Sequence, residues 1–369
     1  MQQLRVIISG GGTGGHIFPA IAIANALKKR MPDAEILFVG AKGKMEMEKV
    51  PAAGYKIVGL WISGLQRKLT IKNLIFPIKI ISSLIKARKV IKQFKPNVVV
   101  GVGGYASGPL LRVATMLGIP ALIQEQNSYP GITNRVLAKK VQKICVAYQG
   151  MEKYFPKEKI ILTGNPVRQD IENLEGKKPR ALEFFNLKDD KPILLIIGGS
   201  LGAKTINETI SEILPELIEN NIQLIWQTGK SFFEKAKQIA LNYQDKGVYV
   251  SDFITKMDYA YAAADLVISR AGASSVSELC ITKKPCIFIP SPNVAEDHQT
   301  KNAMALVNYN AAVLVKDSEA KQILKNEILR LMNSQNEREK LANNISKLAL
   351  KNAADIIAAE VINLARIGK

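Results

Sequence analysis

Five glycines, a threonine and a histidine crowd the segment Gly10-Gly11-Gly12-Thr13-Gly14-Gly15-His16. A short apolar run (Leu4, Val6, Ile7, Ile8) precedes it and an amphipathic stretch from Ile17 to Met31 follows, which reads as strand, loop and helix start. Backbone N–H groups without Cβ atoms around them, at the positive end of a helix, favour a phosphate or diphosphate. Gly10-x-Gly12-x-x-Gly15 also fits the dinucleotide fingerprint, whose usual companion is an acid at the end of the second strand. Here the second predicted strand, Ile36–Val39, runs into Gly40-Ala41-Lys42, which removes that companion and leaves only a phosphorylated dinucleotide open. His16, one of two histidines in the chain, brings a ring that titrates near neutral pH to the anion turn.

Further polar turns follow other apolar runs. Gly101-Val102-Gly103-Gly104-Tyr105-Ala106-Ser107-Gly108-Pro109 comes after the strand Val98–Val102, and two such loops on one domain suit a diphosphate gripped from two sides. Gln124-Glu125-Gln126-Asn127 closes another strand with groups that need hydrogen-bond partners, which sugar hydroxyls would supply. In the second half, Gly198-Gly199-Ser200-Leu201-Gly202 and the run Ser269 to Glu278 repeat the passage from strand through glycine into helix. For Glu278 two readings stand level: an acceptor for both hydroxyls of a ribose, or an acid complementing a helix dipole. Gln299 is a sugar-binding candidate. His298 beside Glu296 and Asp297 reads as a surface histidine on a loop, since cysteine or further histidine at metal spacing is missing.

Parallel sheets must position these turns. Predicted strands fall at Arg5–Ile8, Ile36–Val39, Lys56–Leu60, Val98–Val102, Ala121–Gln124, Lys143–Val146 and Ile160–Leu162, then at Pro192–Ile197, Leu224–Gln227, Val248–Ser251, Leu266–Ser269, Cys286–Ile289 and Ala312–Val315, with helical patterns between most of them. Both halves open on an apolar strand that enters a glycine loop, so the expected class is α/β with two Rossmann-like domains in tandem. Thr163-Gly164-Asn165-Pro166 breaks regular structure. Domains are therefore expected at 1–164 and 165–345, with a C-terminal helix in 346–369 packing back on the first.

Charge is distributed as unevenly as the glycines. Residues 1–162 hold 25 Lys and Arg against 7 Asp and Glu, whereas 163–369 hold 26 against 25. The first domain should therefore meet an anionic partner. Between Trp61 and Lys95 lie nine basic residues, no acid and the apolar run Leu74-Ile75-Phe76-Pro77-Ile78-Lys79-Ile80-Ile81, the composition of a membrane-surface element. Its face is assigned to Lys72, Leu74, Ile75, Phe76, Ile78 and Lys79. Aromatic residues are too sparse for single-strand stacking, which argues against nucleic acid. Three cysteines without a CxxC pair fit a reducing compartment, and no run approaches the length of a membrane span.

The motifs taken together resemble the MurG family, bacterial glycosyltransferases that add N-acetylglucosamine to complete lipid II of peptidoglycan. The residues that carry the likeness are Gly11–His16, Gly103–Pro109, Glu125–Asn127, Gly164–Arg168, Gly198–Ser200 and Ser269–Ser274. The resemblance implies a GT-B fold, two Rossmann-like domains facing across a cleft. It implies UDP-N-acetylglucosamine as donor and undecaprenyl-diphosphate-linked muramyl pentapeptide as acceptor (lipid I to lipid II), joined β-1,4 with inversion. Carried over by motif, the donor contacts are Thr13, Gly14, Gly15, Asn127, Arg168, Ser200, Ile254, Ala273, Ser274, Ser275, Val276, Ser277, Glu278 and Gln299. Glu278 would hold the ribose, Ser200 the diphosphate, and Arg168 with Ile254 would frame the uracil. The acceptor diphosphate would meet Gly14, Gly15, Gly103, Gly104, Tyr105 and Ser107. The implied setting is peripheral, on the cytoplasmic face of the inner membrane, with an anionic lipid surface and other cell-wall synthesis proteins as partners.

Inversion by one displacement needs a base for the acceptor hydroxyl and no covalent enzyme intermediate. His16 is the candidate base and Glu125 the runner-up. Charge building on the departing UDP can be met by backbone donors and helix N-termini, so no cofactor is expected and a divalent metal is at most stimulatory.

Overall fold

The computed structural model describes residues 3–64, 75–199 and 201–367. Lys72, Leu74 and Ser200, three of the residues singled out above, lie outside them. The chain divides into two compact units, residues 1–167 with 351–369, and residues 168–350.

The first unit carries seven parallel strands in the order β3-β2-β1-β4-β5-β6-β7. They are β1 Arg5–Ser9, β2 Glu35–Ala41, β3 Lys56–Leu60, β4 Val98–Gly101, β5 Ala121–Glu125, β6 Lys143–Val146 and β7 Ile160–Leu162. Runs such as Val98-Val99-Val100 are apolar at every position because both sheet faces are covered. One face buries Ile7, Val99, Ile123 and Leu110, the last from the helix Ser107–Met116. The other buries Val6, Ile8, Ile23 and Leu27 against Ile357, Val361 and Leu364. Those last three come from the C-terminal helix Ala353–Ile367, which packs on the helix Gly14–Arg30.

The second unit has six parallel strands in the order β10-β9-β8-β11-β12-β13. These are β8 Ile193–Ile197, β9 Gln223–Gln227, β10 Val248–Ser251, β11 Leu266–Ser269, β12 Cys286–Phe288 and β13 Val313–Leu314. Trp226 is fully buried in its core, with its indole N–H donated to Asn207 at 3.0 Å.

Two local expectations change. The first long helix starts at Gly14, inside the glycine loop, rather than at Ile17. Glycine is a poor helix former, so propensity hides a start that the tertiary fold imposes. His298 is the first residue of the helix His298–Val307 rather than a loop residue. Its side chain is 17% exposed and lies 3.5 Å from Glu296, so it is not a surface histidine.

Candidate functional site

In the first unit the strand order reverses between β1 and β4, where a parallel sheet opens a crevice at its carboxyl edge. Ser9 of β1 pairs with Gly101 of β4, so both glycine loops leave the sheet side by side. They interlock. A Cβ on Gly104, which has φ of +83°, would collide with the Gly11 carbonyl oxygen. A Cβ on Gly103 would lie 2.8 Å from His16 Nε2. Thr13 caps the helix in an extended conformation, which sets Gly14 and Gly15 in its first turn. His16 Nδ1 lies 3.1 Å from the Gly11 carbonyl and 3.3 Å from Thr13 Oγ1. The tautomer with its proton on Nδ1 satisfies that carbonyl and leaves Nε2 as the acceptor.

Beneath this loop lies a residue that the pattern did not single out. Glu46 is fully buried, and its carboxylate accepts the Gly12 N–H and the Ala41 N–H, each at 2.9 Å. A Cβ on Gly11 or Gly40 would overlap its side chain. The acid thus ties the end of β2 to the glycine loop, and two glycines are required by its bulk. Nothing in the sequence separates Glu46 from Glu48, whose side chain is 79% exposed.

Three residues, assigned to the acceptor, to proton transfer and to the membrane face, bond within the unit. Ser107 is fully buried, with its hydroxyl 2.9 Å from the Ser9 carbonyl and 2.8 Å from that of Gly103, so its side chain locks the two loops together and does not reach an acceptor. Glu125 is 2% exposed. Its Oε1 accepts from Asn127 N at 3.0 Å and Asn127 Nδ2 at 3.1 Å, and its Oε2 from Gly131 N at 3.1 Å and Asn134 Nδ2 at 2.8 Å. Four donors occupy the acceptor sites of its two oxygens, so the carboxylate holds the loop after β5 and offers no open site to an acceptor hydroxyl. Lys79, partly exposed, donates to Ser63 at 3.0 Å. Gln124, Gln126 and Asn165 form a buried amide chain with the Val102 carbonyl. Tyr105 is exposed and its ring covers Gly64.

The long helix Phe76–Phe94 presents Ile78, Ile81 and Ile85 to solvent, with Ile75 exposed just before it. Arg88, Lys89 and Lys92 are exposed on the same helix. Phe76 is half-buried, and Lys86 donates inward to the Gly59 carbonyl at 2.9 Å.

In the second unit the sheet reverses between β8 and β11. Gly199 and Gly202 have φ of +86° and +78°, and a Cβ on Gly202 would strike the Thr228 carbonyl. Gln227 joins this loop to the next one: its Nε2 donates to the Gly199 carbonyl at 3.2 Å, and its Oε1 accepts the Ile254 N–H at 2.9 Å. Ile254 is 3% exposed as a whole and its N–H is taken by Gln227, so its side chain is withdrawn from ligand contact. Arg168, half exposed, is paired with Asp170 and reaches the Thr255 carbonyl at 3.3 Å.

Gly272 caps the helix Ala273–Thr282, which carries Ala273, Ser274, Ser275, Val276, Ser277 and Glu278. Val276 is 1% exposed and its N–H is taken by the Gly272 carbonyl, which withdraws it from ligand contact. Glu278 accepts from the Tyr261 hydroxyl at 2.9 Å. Burial pushes the Glu278 carboxyl up to about 7, against the opposing pull of Tyr261 and Arg168. Gln299 accepts the Ser291 N–H at 2.8 Å.

Two parallel-sheet units, each with a glycine loop at its topological switch, are the architecture of nucleotide-binding α/β proteins. Residues 6–146 match the glycosyltransferase family 28 N-terminal domain and residues 193–359 the family 28 C-terminal domain. Proteins from Parabacteroides distasonis (56% identical) and Bacteroides thetaiotaomicron (57% identical) are similar over 99% of this chain and at least 98% of their own length. Both are named UDP-N-acetylglucosamine–N-acetylmuramyl-(pentapeptide) pyrophosphoryl-undecaprenol N-acetylglucosamine transferase. The crystal structure of Acinetobacter baumannii MurG is similar with a TM-score of 0.78 at 29% identity, covering 98% of this chain and 99% of that one. The chain belongs to the MurG family within glycosyltransferase family 28.

Proposed function

We propose a division of labour between the two units for the reaction that the family carries out. The chain transfers N-acetylglucosamine from UDP-N-acetylglucosamine to lipid-linked N-acetylmuramyl pentapeptide in peptidoglycan synthesis. In this reading the second unit holds the donor. Its glycine loop and the N-terminus of the helix Ala273–Thr282 meet the diphosphate, Glu278 the ribose, Arg168 and the Ile254 main chain the uracil, and Gln299 the sugar. The first unit receives the lipid-borne diphosphate on Gly14, Gly15, Gly103 and Gly104.

His16 is the base. Its Nδ1–H is held by the Gly11 carbonyl, so Nε2 accepts the proton of the acceptor hydroxyl as that oxygen displaces UDP in one inverting step. Negative charge on the leaving diphosphate falls to backbone N–H groups and helix N-termini, which makes a divalent metal at most stimulatory. The observation that carries this reading is the interlocked pair of glycine loops with His16 in its hinge.

A membrane surface completes the proposal. Ile75, Ile78, Ile81 and Ile85 would enter the lipid interface while Arg88, Lys89 and Lys92 meet anionic headgroups, at the cytoplasmic face. Among the described residues no helix is long and apolar enough to cross a membrane. Vesicle sedimentation tests this surface. Ile81→Asn with Ile85→Asn should weaken binding to anionic vesicles and leave UDP-N-acetylglucosamine binding unchanged; undiminished vesicle binding would refute the surface.

A further inference from the structure

Tyr261 lies on the helix Met257–Ala263, is 1% exposed, and donates its hydroxyl to Glu278 Oε2 at 2.9 Å. A buried phenol requires a partner, and here the partner is the carboxylate already placed at the donor ribose. We infer that Tyr261 is a positioning residue that aims the Glu278 carboxylate and thereby makes the donor site select ribonucleotides over 2′-deoxyribonucleotides. This rests on the reading of Glu278 as the ribose acceptor.

The geometry supports the assignment. Glu278 sits in the sixth position of its helix, with Tyr261 reaching it from a neighbouring helix and the charges of Arg168 and Asp170, at the start of the short helix Gln169–Glu172, acting on it. Arg168 is paired with Asp170 through its guanidinium, so it is shared between two carboxylates. The directional hold on Glu278 therefore falls to Tyr261. One lone pair of Oε2 takes the phenol, and the remaining lone pairs keep a fixed direction for the two ribose hydroxyls. Without the phenol the carboxylate loses that direction and a donor that favours its charged form.

Calorimetry on the full chain with UDP and 2′-deoxy-UDP tests this. Wild type should prefer UDP by about tenfold or more, the scale of a hydrogen bond to a charged group. Tyr261→Phe should weaken UDP several-fold, leave 2′-deoxy-UDP within twofold, and move the pH midpoint of UDP binding upward. Glu278→Gln should abolish both the preference and its dependence on pH. A preference lost in Glu278→Gln but intact in Tyr261→Phe overturns the role of Tyr261 alone. No preference in wild type overturns the ribose reading of Glu278 itself. Equal weakening of both nucleotides in Tyr261→Phe means a merely structural role. One arm needs no variant: the ratio of UDP to 2′-deoxy-UDP affinity, in which the titration of the shared diphosphate cancels, should rise from pH 6 to 8, and a ratio that does not change contradicts the ribose reading of Glu278.

Discussion

The glycine loops after β1 and β8 begin alike and are supported differently. Behind the first stands a buried carboxylate, Glu46, which takes two backbone N–H groups, and in front of it stands His16. Against the second stand neutral groups, the Thr228 carbonyl and the Gln227 amide, and Glu278 lies on the helix Ala273–Thr282. In the proposed reading the loop that carries the base is the one braced by a charge.

Breaking the first loop should have the largest effect. His16→Ala is expected to lower kcat by about 10²–10⁴, the usual worth of a general base. Glu46→Gln comes next, since an amide replaces one acceptor with a donor that faces an N–H. It should destabilise the first unit by about 1–3 kcal/mol and lower turnover, with donor affinity unchanged, as read by thermal unfolding and calorimetry. An unaltered unfolding temperature would show that the brace is dispensable.

Charge reversal of Arg88, Lys89 and Lys92 should weaken anionic-vesicle binding by about 1 kcal/mol per residue, measured by sedimentation at low salt. The smallest effect is on stability against pH. Glu278 binds its proton more tightly folded, at about 7, than unfolded, near 4.5. Its contribution is fully present below 4.5 and is lost as pH rises through 7. Glu278→Gln, which mimics the protonated form, should therefore raise the unfolding temperature relative to wild type at pH 8 and not at pH 4. A gain equal at both would refute the shift.

How much of this was readable from the chain depends on the range of the interaction. Strands β3, β6, β7, β10 and β11 run between the residues expected, because β-branched runs bounded by glycine or polar turns are local signals. The loops of the candidate site were equally plain, since a cluster of glycines is rare without a backbone demand. What stayed hidden came from contacts distant in sequence. Glu46 acts through Gly12, 34 residues away, and Tyr261 through Glu278, 17 away. The inward direction of Ser107 and Val276 depends on packing that composition does not encode. Glu125 looked like chemistry because it is an acid in a polar cluster, and only its four donors reveal a joint.

The claim at the centre is that proton transfer belongs to the first loop and donor binding to the second unit. Measuring kcat and the UDP-N-acetylglucosamine Kd of His16→Ala in one preparation tests it directly. A turnover at least about a hundredfold lower with a donor Kd within twofold of wild type is the expected result. Near-normal turnover, or a donor affinity that falls in step with the rate, would contradict it.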